Sequence, residues 1–182
     1  MSQAGSYRLA VSKRYWRTAE LVLDHQSRPF EHLEPVGYLL AMSTELALKA
    51  YLTDRGVPDS LQSSKKLGHD LGACLRKAME LGLEIGAAEG ACVLSLRSAH
   101  LTHFNRYGPK SSGGLLELGG FPLTDEMVAL RCVAVLIDRV DGATDTLPLL
   151  KPLSLRELAE LEALEQNRVD WVRSIGSQRK RT

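Results

Sequence analysis

Apolar residues recur three and four positions apart through most of the chain, so helices are the expected elements. Between Tyr7 and about Gln26, the residues Leu9, Trp16, Ala19, Leu21, Val22 and Leu23 mark an apolar stripe. Arg8, Lys13, Arg14 and Arg17 take much of the remainder, which predicts an amphipathic helix ended by Pro29. Residues 1–6 are small and polar and are expected to fray. Pro35 suits the first turn of a second helix. There Leu39, Met42, Leu46 and Ala50, with Leu40, Ala47 and Tyr51 beside them, give a wide apolar face, and Gly56 and Pro58 stop it. Residues 57–68 read as a polar loop.

A third helix is predicted from about Asp70 to Glu80, with Asp70 as its cap, Leu71, Cys74, Leu75, Ala78 and Met79 as its core face, and Gly82 as its end. A fourth is predicted over 87–107, ended by Gly108-Pro109. The stretch 110–123 carries Gly113-Gly114 and Gly119-Gly120, too glycine-rich for a helix. Its Leu115, Leu116 and Leu118 suit a short strand or packing over the bundle. Thr124 is the expected cap of a fifth helix that buries Val128, Val133, Leu136, Ile137 and Val140 and ends at Gly142. Ser154 with Glu157 forms a capping box for a sixth helix, along which Leu158, Leu161, Leu164, Val169 and Val172 follow. That helix is acidic at Glu157, Glu160, Glu162 and Glu165. Alternating strand patterns are nearly absent and no repeat is evident. The expectation is an all-α fold, an antiparallel up-and-down bundle of four to five helices over residues 7–147. An extra C-terminal helix over 153–175 and a basic tail over 176–182 complete it.

Composition narrows the function classes. The length, 182 residues, suits one domain with a real core. A net charge of +1 supplies no global field toward nucleic acid or membrane, so any nucleic-acid contact must be a local patch. Neither a signal-type leader nor a membrane-length apolar run is present. The three cysteines, Cys74, Cys92 and Cys132, form no CxxC and lie among apolar residues. A cytoplasmic protein with reduced, buried thiols is the expectation.

Three constellations carry candidate chemistry. Glu45 and Lys49 stand four apart, acid first. They read either as a solvated intrahelical pair or as a pair at a helix junction. His69-Asp70 reads as a turn histidine before a helix cap; alternatively His69, with Lys65 and Lys66, contacts phosphate beside the free N–H groups of the third helix. Arg97, His100, His103, Arg106 and Tyr107 share one helix. His100 and His103 stand three apart but lack an HExxH context and a third ligand, so no metal is expected, and no cofactor. Arg97 and His103 have the chemistry of a ribonuclease pair. A histidine can shuttle the proton of a 2′-hydroxyl or of the leaving oxygen, and an arginine can stabilise phosphoryl charge. Six residues of straight helix place the two side chains about 120° apart, so they converge only through reach, distortion or a second subunit. Otherwise His100, His103, Arg97 and Arg106 are core, interface or structural residues.

Taken together these segments resemble the HEPN superfamily of small helical-bundle proteins. Many prokaryotic members carry Glu-x-x-Leu-Lys-Ala-x-Leu, matched here from Glu45 through Leu48, Lys49 and Ala50 to Leu52. A His-Asp-Leu opens their next helix, matched by His69-Asp70-Leu71, and Arg-Tyr ends the following long one, matched by Arg106-Tyr107. The resemblance covers roughly residues 36–108. It implies a bundle that commonly forms homodimers and associates with nucleotides or RNA. A separately encoded nucleotidyltransferase or antitoxin is an expected partner, while the charge and the lack of a membrane-length apolar run lead to the expectation of no membrane partner. A ribonuclease branch uses an Arg, four to six residues, then a His, a spacing met by Arg97 and His103. Asn105 stands where toxin-like members often have Tyr, and Gly108 where related bundles often have Pro. The first expectation is therefore a dimeric nucleotide-, RNA- or partner-binding regulatory module, with His69, Lys65, Lys66, His100, Arg106 and Tyr107 as binding residues and Glu45, Lys49 and Asp70 as structural ones. The alternative is a metal-independent endoribonuclease of toxin or defence type, with Arg97 and His103 catalytic. A structural adaptor that docks a partner through the acidic helix and basic tail is a third expectation.

Overall fold

A computed structural model of the chain describes residues 1–28, 31–101, 110–112, 115–117, 125–142, 149 and 151–178. Among these are seven helices: α1 (Gln3–Asp24), α2 (Leu33–Asp54), α3 (Asp59–Gln62), α4 (Leu71–Glu80), α5 (Ala87–Leu101), α6 (Glu126–Asp141) and α7 (Leu155–Gln178). Two three-residue strands, β1 (Lys110–Ser112) and β2 (Leu115–Glu117), pair antiparallel with Ser111 opposite Leu116. The fold is all-α apart from this ribbon. None of the described helices is long and apolar enough to cross a membrane.

α2 is the central element. It packs against α1, α4, α5 and α6, and its buried residues include Leu40, Ala41, Ala47, Leu48, Ala50 and Leu52. A helix surrounded on several sides needs apolar residues around much of its circumference, which is the reason for the wide apolar face in the sequence. Small residues allow close approach to α1. Ser12 Oγ donates to the Ser43 carbonyl at 2.7 Å, and Ser43 Oγ donates back to the Ser12 carbonyl at 2.9 Å. Each buried hydroxyl thus finds a partner on the facing backbone. Trp16 Nε1 donates to the Leu130 carbonyl at 2.9 Å and ties α1 to α6. Tyr51 Oη donates to the Leu81 carbonyl at 3.1 Å and ties α2 to the end of α4.

Helix ends follow local chemistry. Gly142 closes α6 at φ +70, a left-handed value that favours glycine, and the Ser154–Glu157 box opens α7 with Glu157 N donating to Ser154 Oγ at 3.2 Å. Several expectations need correction. Residues 3–6 are helical, because Ser2 Oγ accepts from Gly5 N and Ser2 N donates to Asp54. One turn of helix, α3, interrupts the expected loop 57–68. Its buried Gln62 donates to the Val57 carbonyl and accepts from Arg8, a long-range anchor that local sequence does not reveal. Asp125 caps α6, accepting from Met127 N and Val128 N; Thr124 and Pro29 lie outside the described residues. Leu21, Val128 and Leu164 are exposed, because among the described residues no element covers the helix face on which each lies. The helix read as 153–175 continues to Gln178, so residues 176–178 of the expected tail are helical. α7 packs on α4 and α5 rather than standing apart.

Candidate functional site

The second, third and fourth predicted helices meet at one junction, and there the sequence's charged residues are found together. Glu45 projects from the middle of α2 and is 4% exposed. A buried carboxylate requires partners, and it has three. Lys49, one turn along the same helix, donates to Oε1 at 2.7 Å. His69, in the turn before α4, approaches with Nδ1 at 3.2 Å from Oε1 and 3.0 Å from Oε2. His100, near the end of α5, places Nε2 2.6 Å from Oε2. The two imidazole rings meet edge to face with centroids 5.9 Å apart. Burial pushes the Glu45 carboxyl up, but the hydrogen bonds from His100, Lys49 and His69 outweigh it and hold the pKa down at about 2. The pair Glu45–Lys49 is therefore a junction pair, not a solvated one. His100 is buried at 6% exposure, while the His69 side chain is 61% exposed.

A second ionic contact lies one residue away. Arg97 of α5 grips Asp70 with two nitrogens, Nε to Oδ1 at 2.6 Å and Nη2 to Oδ2 at 2.7 Å. Asp70 Oδ1 also accepts from Ala73 N and so caps α4. Burial raises the Asp70 pKa, but the Arg97 and Ala73 donors lower it further, so the group stays ionised; Arg97 is in turn raised, first by the Asp70 hydrogen bond. Gly72 makes room for this arrangement. A Cβ there would lie 3.2 Å from Arg97 Cδ and Nε and 3.2 Å from Glu162 Oε1. Beyond Arg97, α7 supplies further acids: Glu162 pairs with Arg76 of α4, and Glu165 lines a cleft of about 140 Å³ with Arg97, Leu94, Ser98 and Leu101.

The structure thus joins Glu45, Lys49, His69, Asp70, Arg97 and His100, six of the residues singled out in the sequence. Lys65 and Lys66 are exposed in the turn that precedes His69. His103, Arg106 and Tyr107 lie outside the described residues. Gly72 and Arg76 carry no signal in the sequence, and Glu162 stands out there only as one of the acids of the last helix. Arg76 and Glu162 stand 86 positions apart, and no local pattern signals such a pair. The expectation of no metal considered His100 with His103; the described residues set His100 instead beside Glu45 and His69, whose ligand atoms all lie within 4.8 Å of one another. All three cysteines are free thiols; Cys74 and Cys92 are buried, and burial pushes the Cys74 pKa up to about 12, so it is neither a nucleophile nor a ready ligand.

Comparison with known protein families, with curated proteins and with solved structures finds no match for this chain.

Proposed function

We propose that this chain is a HEPN-like binding and regulatory module that holds a nucleotide or RNA phosphate at the turn carrying Lys65, Lys66 and His69, and that it does not cut RNA. The observation that carries this reading is the use made of Arg97. Its guanidinium is committed to Asp70 through two nitrogens, and Asp70 is itself the cap of α4. An arginine so placed joins two helices. To serve the alternative, a metal-independent endoribonuclease using Arg97 and His103, it must loosen its two-nitrogen grip on that carboxylate. The exposed Lys65, Lys66 and His69 supply the local basic patch that a net charge of +1 does not. Exposed Leu164 and Trp171, two turns apart on α7, support association as a homodimer.

The test is equilibrium binding of labelled single-stranded RNA and of a labelled nucleoside triphosphate, in chelator and at several salt concentrations. The expected result is binding of one or both that weakens with salt and falls on the order of tenfold in Lys65→Glu/Lys66→Glu. Absence of binding by the folded wild type, or binding indifferent to both lysines, contradicts the site.

A further inference from the structure

We propose that Glu45, His69 and His100 form a binding site for a divalent transition-metal ion of the zinc type. This inference does not depend on the phosphate-binding reading, and it departs from the sequence expectation of no metal. The three ligands come from three elements, α2, the turn before α4, and α5, so the fold converges them. Two imidazoles and one carboxylate are a donor set zinc accepts, with room for water in a further position.

The division of labour at Glu45 favours the site. Lys49 holds Oε1 at 2.7 Å, whereas both histidines make their shorter contact with Oε2, at 3.0 Å from His69 and 2.6 Å from His100, and His69 lies 3.2 Å from Oε1. An ion bound through Oε2 therefore replaces the two histidine contacts and leaves the Lys49 contact in place as the outer partner that fixes the carboxylate. Ligand atoms around a tetrahedral zinc stand about 3.3 Å apart, given bonds of roughly 2.0–2.1 Å. The contacts at Oε2 need open by about 0.3 and 0.7 Å, and the two histidine nitrogens, within 4.8 Å of each other, need close by up to about 1.5 Å, through rotation of the exposed His69 side chain. Each neutral ring then carries its proton on the nitrogen away from the metal. Burial of Glu45 and His100 keeps two ligands fixed, and the exposed His69 leaves a route in from solvent. Lys49 is ion-paired to Glu45 itself, and the nearby Asp70–Arg97 pair is charge-neutral.

The experiment is titration of the chelator-stripped full chain with Zn²⁺ alone, followed by calorimetry, and with Co²⁺, followed by visible absorption. The expected result is one ion per chain, a Co²⁺ ligand-field spectrum of nitrogen and oxygen donors without thiolate charge transfer, and a rise in Tm with metal. His69→Ala, at an exposed position that should fold normally, weakens Zn²⁺ binding on the order of 100-fold. Glu45→Gln and His100→Gln do the same where folded, and Cys74→Ser leaves binding unchanged. No saturable binding by the wild type, or binding that survives His69→Ala undiminished, overturns the proposal.

Discussion

Because one buried carboxylate accepts hydrogen bonds from Lys49, His69 and His100, the stability of the chain is coupled to acid at Glu45. Its folded pKa of about 2 lies below the ordinary 4.5, so the unfolded chain takes up the proton more readily. The stabilisation is therefore complete above pH 4.5 and is lost as pH falls toward 2. The gap corresponds to on the order of 3 kcal/mol. Chemical denaturation of the metal-free chain across this range should show that loss in the wild type, and a flatter profile from a lower starting point in Glu45→Gln. An equal acid slope in both would mean that Glu45 is not the group responsible. Asp70 separates two roles in the same way. Asp70→Asn keeps a competent cap but weakens the grip on Arg97, and should cost about 1 kcal/mol. Asp70→Ala loses both and should cost about 2–3 kcal/mol. A double-mutant cycle with Arg97→Met measures the pair itself; partial exposure limits its expected coupling to about 1 kcal/mol. The cap at Asp70 was readable because capping is local. The meeting of Glu45 with His69 and His100 was not, since the partners stand 24 and 55 positions away and sequence periodicity speaks only for one helix at a time.

At the scale of elements, α7 decides how much of the molecule is one cooperative unit. Leu158 is fully buried where the helix enters the bundle, and Glu162 pairs with Arg76 further along. Leu158→Ala should destabilise the chain by about 3 kcal/mol in a single transition, because a cavity opens in the shared core. Leu164→Ala, on the exposed face, should be within about 0.5 kcal/mol of wild type. Two separate transitions, with only one shifted by Leu158→Ala, would show that α7 docks independently. The sequence pattern placed Leu158 and Leu164 on an equal footing. An apolar stripe records which residues avoid water in some context, not which element covers them, and Val128 was misread for the same reason. The helix α3 was missed for the opposite reason: four residues make too short a period to recognise, and its hold on the fold passes through Gln62 to Arg8.

At the scale of the whole molecule, the proposed homodimer and the proposed absence of cleavage are separate claims with separate tests, since a second subunit is one of the routes by which the sequence expectation lets Arg97 meet His103. Sedimentation velocity should find the wild type dimeric and Leu164→Glu/Trp171→Glu monomeric with an unchanged helical spectrum. A wild type that remains monomeric at all accessible concentrations would remove α7 as an interface. The most direct measurement is incubation of labelled single-stranded RNA in EDTA with the wild type and with Arg97→Ala, each checked for its Tm. The expected result is intact RNA in both samples and a lower Tm for Arg97→Ala, as follows if Arg97 holds α5 to the Asp70 cap. Cleavage by the wild type that vanishes in an Arg97→Ala variant of undiminished Tm would contradict it, and would make Arg97 a catalytic residue rather than a clamp.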